Sequence, residues 1–319
     1  MYDYNNFKNN AAGVAVGAST YLGAQAFMRM GTQPYQKFLL KDFKQYNESE
    51  LKNIREAAQS AFTRYGLDKR GYTLTSVTED NYKEVTKTIK NKLDDNKIEK
   101  YKQTIEKIKK LFNGKMNKKA DELFKNEILK SETKIRKKEV KNSIKKVMQS
   151  ISEGKNAVHI RGIREILVNM DMTPALANHE MGHAVNRLGI NKFGKILNKI
   201  RHPFAAATLF IALIGIFKPK KQEGEKPNGI MDKTTTFIKN NAGKLTFAAM
   251  LPTMAEEGLA SINANKMLKE SNLEKSLIKK INKGNIKAWG TYVLGATILS
   301  QAARFAIYAH DKIVENNKK

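Results

Sequence analysis

Residues 178–186 read NHEMGHAVN, with two histidines four apart and a glutamate directly after the first. On a helix, positions i and i+4 stack on one face, so His179 and His183 address one point and Glu180 lies beside it. The flanks supply the helix: Thr173 offers an N-cap, Pro174 a first helical position and Gly189 a stop. Leu176, Met181, Ala184, Val185 and Leu188 give it apolar faces, so it is expected to pack into a core. Gly182 keeps the helix slim where another element has to approach.

The chemistry this spacing points to is hydrolytic. A catalytic zinc keeps three protein ligands and one water, and an HEXXH helix provides two imidazole ligands with a carboxylate base between them. The expected cofactor is one Zn2+ per chain, with His179 and His183 as ligands and Glu180 as the catalytic base. The chain has 5 histidines (159, 179, 183, 202 and 310) and no cysteine, so the third ligand has to be histidine, a carboxylate or a carbonyl. His202 follows a basic cluster, which suits an interfacial role, and His159 falls in a strand-like run, where a hydrogen bond suffices. The better source is 256–264, EEGLASINA. There Glu256 and Glu257 abut the uncharged stretch LTFAAMLPTMA (245–255), a costly placement unless they face a metal, a cation or water.

Glu257-x-x-Ala260-Ser261-x-x-Ala264, following Leu251 and Pro252, resembles the second motif of membrane-bound gluzincin-type zinc metallopeptidases. It is similar to that of the HtpX and CAAX-prenyl-protease group, where Asp takes the place of Ser261, and closer to that of YugP-type neutral zinc metallopeptidases. The resemblance implies Glu257 as the third metal ligand, Glu256 being the alternative one residue away. It also implies peptide or protein substrates and apolar helices between the two motifs. With Ser261 in the Asp position, a carboxylate contact to a ligating histidine is in doubt.

Working outward, four uncharged stretches stand out: 11–28, 203–217, 245–255 and 288–303. Lysines and arginines sit hard against their ends: Arg201 before the second, Lys218, Lys220 and Lys221 after it, and Arg304 after the fourth. That pattern predicts membrane-edge anchoring and several embedded helices, at about 203–217, 240–255 and 288–308 and within 1–30. Arg304, Tyr308 and His310 are candidates to stabilise an oxyanion, with none preferred. The mean hydropathy of −0.53 fits a soluble protein with buried helices instead.

The chain carries 58 Lys+Arg against 31 Asp+Glu, a net charge of +27, which asks for an anionic partner. Many of the lysines lie in 81–152, where Val85, Ile89, Leu93, Ile98, Tyr101, Ile105 and Ile108 recur at helical spacing. This is expected to be a basic helical insertion suited to an anionic lipid surface. No helix-turn-helix, zinc-finger or RNA-stacking signature accompanies it, so nucleic acid is not the expected partner. Upstream, 47–66 reads as a helix capped by Asn47 or Ser49 and stopped by Gly66. Downstream, 157–160 and 165–169 flank Gly162 as a short hairpin.

The expected organisation is an N-terminal apolar helix (1–30), a helical or linker region (31–80), the insertion (81–152) and a metallopeptidase core (153–319). The fold class is mainly α with a small β hairpin or sheet, zincin-like. With no span between residues 30 and 200, the positive-inside rule puts the active site on the cytoplasmic side of an integral membrane protein. The competing reading is a non-enzymatic, membrane-associated basic scaffold.

Overall fold

Asn47 starts the first regular element with a reciprocal capping box. Its side chain accepts from the Glu50 N–H, and the Glu50 carboxylate accepts from the Asn47 N–H. The structure, a computed structural model, describes residues 14, 15, 17, 21, 45–111, 144–190, 192–218 and 228–316. Among these, residues 144–152 are helical, and six further α-helices are α1 (Glu48–Arg64), α2 (Tyr82–Leu111), α3 (Ala175–Leu188), α4 (Lys192–Phe217), α5 (Gly229–Lys269) and α6 (Lys275–Asn316). A short 3-10 turn (Asp68–Arg70) and a three-stranded sheet complete them, so the protein is mainly α with a small mixed sheet. Most of the expected N-terminal helix, and residues 112–143 of the basic region, lie outside the described residues.

Contacts divide the chain into two compact units, one of residues 46–184 and 267–273, the other of 1–45, 185–266 and 274–319. The first holds the sheet, ordered β1-β3-β2. The expected hairpin is present: β2 (Ala157–Ile160) runs antiparallel to β3 (Glu165–Val168), with His159 opposite Ile166. The third strand, β1 (Thr73–Ser76), pairs parallel to β3 and was not expected. Its sequence, TLTS, is polar and only four residues long, and no hydrophobic alternation announces it. Central β3 is buried along its whole length. Val77, Ile89, Met148, Ile151 and Leu167 form one core cluster here, with Val85 and Leu93 packed against it, so the first turns of the basic region cover the sheet.

The second unit is helical. Tyr21, Ala212, Ile216, Ala242, Leu299, Ala302, Ala303, Ala306 and Ile307 make its core. Small residues let the helices close up. A Cβ on Gly215 would meet the Ile307 side chain at 2.3 Å, and one on Gly243 the Arg304 side chain at 2.5 Å. α5 and α6 run antiparallel, tied by Lys239 to Asp311 (2.5 Å), Ser300 Oγ to the Gly243 carbonyl (2.9 Å) and Trp289 Nε1 to the Met254 carbonyl (2.8 Å).

Several membrane-length helices were expected, and among the described residues one helix meets the requirement. α4 has 26 residues and a mean hydropathy of 1.7 in its most apolar window. The uncharged run of α5 is confined between Lys244 and Glu256, and that of α6 is diluted by Gly, Thr, Ser and Gln. α5 and α6 are thus long helices, but not apolar enough over a spanning length.

Candidate metal centre

The turn after β3 sets where α3 begins. The Asn169 side-chain oxygen accepts from the Asp171 and Met172 N–H groups, both at 3.0 Å, and its amide donates to the Ser152 carbonyl at 2.6 Å. Arg55 of α1 grips the same turn, donating to the Met170 carbonyl at 3.1 Å and pairing with Asp171 at 3.1 Å. α3 then runs from Ala175 and stops at Gly189, whose φ of 74° is a left-handed conformation that suits glycine. Met181, Ala184 and Val185 are buried, as the apolar pattern requires.

His179 and His183 stand one helical turn apart, with ring centroids at 4.8 Å and planes at 87°. His183 is buried, while His179 and Glu180 are partly exposed. The ligand atoms of His179, Glu180 and His183 lie within 4.8 Å of one another, and so do those of His183, Glu256 and Glu257. Either group could hold a metal ion, and His183 belongs to both. His159 and His202 belong to neither: His159 stacks at 5.6 Å from the Tyr72 ring, and His202 is exposed on α4.

The carboxylates of α5 sit in a polar network within the helical unit. Glu256 is fully buried. Its Oε1 accepts from Asn186 Nδ2 at 3.3 Å and Asn198 Nδ2 at 3.2 Å, and its Oε2 accepts from Arg201 Nη1. The same Nη1 donates to Glu257 Oε1 at 3.2 Å. Asn263 closes the network by donating to Asn186 Oδ1 at 2.7 Å. Gly194 makes the approach of α4 possible, because a Cβ there would meet Asn186 Oδ1 and Leu259 Cδ2, each at 3.0 Å.

Arg201 reads in the sequence as a basic bracket at the edge of an apolar run. In the structure its side chain is only 15% exposed and turns inward to both glutamates. Two adjacent buried carboxylates without a cation would repel and stay desolvated, which accounts for the inward turn. Asn186, Asn198 and Arg201 are the residues that sequence reasoning missed. The available signal was weak: uncompensated polar residues on the inner faces of otherwise apolar helices.

The three oxyanion candidates lie elsewhere. Arg304 packs against Gly243, and His310 is buried against Asp311 at 3.0 Å, near Lys239. Gly243 precedes Glu257 by about 21 Å of helix at 1.5 Å per residue, so Arg304, Tyr308 and His310 are remote from the carboxylates. At the carboxylate level α6 presents Trp289 instead, bonded to Met254 and close to Gly258. Ser261 Oγ donates back to the Glu257 carbonyl at 3.1 Å, a bond within its own helix. Comparison of the chain with protein families, curated proteins and solved structures returned no match.

Proposed function

We propose that the protein is a membrane-associated, zinc-dependent endopeptidase in which His179, His183 and Glu257 hold one zinc ion and Glu180 is the general base. The observation that carries this reading is the buried group of His183, Glu256 and Glu257, because it joins the second histidine of the HEXXH helix to a carboxylate pair far downstream. The donors suit the ion: imidazole nitrogen and carboxylate oxygen are zinc ligands, and no thiolate competes in a chain without cysteine. Glu257 is favoured over Glu256 because both Glu256 oxygens are engaged by Asn186, Asn198 and Arg201.

When bound, zinc supplies a Lewis acid for a peptide carbonyl and a water that ionises near neutral pH. Glu180 follows His179 directly, so its carboxylate accepts a proton from the attacking water and returns it to the departing amine. The helix holds both imidazoles one turn apart, and packing of Met181, Ala184 and Val185 fixes their orientation.

Membrane association, with the site facing the cytoplasm, rests on α4. Only 22% of its most apolar window is buried, and Phe210 and Phe217 are 62% and 61% exposed. Such an apolar surface is suited to lipid, and the net charge of +27 to an anionic leaflet. Retention of the protein in carbonate-washed membranes tests this part.

Purified protein is expected to carry about one zinc per chain, and Glu180→Gln to keep the metal while losing hydrolysis of an unfolded protein substrate. Undiminished hydrolysis by that variant defeats the mechanism. A second reading takes the Arg201 bridge as a purely structural ion-pair cluster in a non-enzymatic protein. It predicts no stoichiometric zinc and no change in melting temperature with a chelator.

A further inference from the structure

The polar network around Glu256 does more than neutralise a buried charge. Its members come from three helices: Asn186 at the end of α3, Asn198 and Arg201 on α4, and the glutamates with Asn263 on α5. The side chains of Glu256, Glu257 and Arg201 are 0%, 7% and 15% exposed, so water competes little for their hydrogen bonds. Glu256 is gripped at both oxygens by three side chains, and one of these, Arg201, also donates through the same Nη1 to Glu257 Oε1.

We infer that Arg201, seated on Glu256, is the positioning residue for Glu257: it sets the plane of the ligand carboxylate and keeps Glu256 out of the coordination sphere. The inference rests on the zinc reading above and adds to it a division of labour between neighbouring glutamates. Glu256 is the anchor, Arg201 the bridge, and Glu257 the ligand. The bridge also bears on selectivity. Two unrestrained carboxylates side by side offer a hard, oxygen-only site of the kind calcium and manganese prefer. Holding one carboxylate against a guanidinium leaves a single oxygen donor to combine with imidazole nitrogens, the mixture that suits zinc.

Charge and positioning make opposite forecasts, which allows a test by sign. A guanidinium near a metal site repels the ion, so if Arg201 were only a counter-ion, its removal would tighten zinc binding. If it positions Glu257, removal weakens binding, by about tenfold to a hundredfold on the usual scale for residues that orient ligands. The cleanest probe is Arg201→Met with Glu256→Gln in the full chain, which leaves the net charge unchanged and deletes the bridge. Zinc affinity is read by competition with a chromophoric chelator and the fold by far-ultraviolet circular dichroism.

The double variant is expected to bind zinc at least about tenfold more weakly, and to gain affinity for neither calcium nor manganese, since the second carboxylate is gone. Arg201→Lys, whose ammonium keeps the charge and can donate to both glutamates, is expected to lose clearly less zinc affinity than the double variant. Native affinity in the double variant, or an equal loss in Arg201→Lys, overturns the inference. Should the double variant fail to fold, Arg201→Gln decides by sign: weaker zinc binding supports the bridge, and tighter binding overturns it. A native protein that binds no stoichiometric zinc removes the proposed function itself. A native protein that binds zinc alongside an equally competent double variant removes only the bridge.

Discussion

The histidine helix α3 and the carboxylate stretch of α5 each present candidate metal ligands, by different physical means. On α3, the backbone alone sets the relation between His179 and His183, since any helix puts residues four apart on one face. On α5, Glu256 and Glu257 are neighbours in sequence, yet their separate settings depend on Asn186, Asn198 and Arg201 arriving from two other helices. One half of the site is a local motif, and the other is a tertiary construction. Substitutions should therefore fail in different ways in the two places.

The largest effect is expected on the α3 side. Glu180→Gln should lower peptide hydrolysis by about 10²–10⁴-fold, the usual contribution of a general base, without changing zinc content or melting temperature. His183→Ala should lose both activity and zinc, measured by metal analysis after gel filtration. If His183→Ala keeps one zinc per chain, the two halves of the site do not act together.

On the α5 side the expected failure is in folding. Arg201→Ala strands two carboxylates that are 0% and 7% exposed, and should cost about 3–5 kcal/mol in urea unfolding. Pairing it with Glu256→Gln should recover part of that loss. Simple additivity of the two in a double-mutant cycle would show that the contact carries no coupling.

That contrast also explains what the sequence disclosed. The α3 helix, its stop at Gly189 and the β2–β3 hairpin were legible because a left-handed glycine, helical spacing and strand-like runs are local signals. The start, by contrast, lies at Ala175, and the Thr173 hydroxyl donates to the Asn169 carbonyl instead of capping. The expectation that a glutamate of 256–257 joins His183 came from the resemblance of the downstream motif, and in the structure His183, Glu256 and Glu257 form one group that could hold a metal ion. Arg201 misled, because a basic residue beside an apolar run looks the same whether it snorkels to a lipid headgroup or turns inward to an acid. β1 was hidden because four polar residues at a sheet edge depend on a partner strand far along the chain. Hydropathy likewise marked three downstream runs alike, while only α4 combines length with sufficient apolarity.

A smaller effect is expected where the sheet-containing unit relies on local order. Asn47→Ala removes the capping box of α1 and should cost about 1 kcal/mol. Zinc affinity should not change, because α1 touches the turn before α3 through Arg55 near its middle and not through its first turn. A parallel fall in zinc affinity would mean that the histidine half is less local than its spacing implies.

The smallest effect concerns the last turn of α5. Tyr65 donates to Glu270 at 2.9 Å, and the Arg64 guanidinium donates to the carbonyls of Glu270 (2.7 Å) and Met267 (3.1 Å), which clamps residues 267–273 to α1. Burial, together with the hydrogen bond to the Glu270 carboxylate and its charge, pushes the Tyr65 hydroxyl up to about 12 from its ordinary 10.0. A folded-state value above the unfolded one means that this contact stabilises fully below pH 10 and is lost as the pH rises through about 12. Tyr65→Phe should therefore lower stability slightly at neutral pH and flatten the alkaline limb of the stability curve between those values. An alkaline limb unchanged by the substitution would show that the tail of the carboxylate helix is held by Arg64 alone.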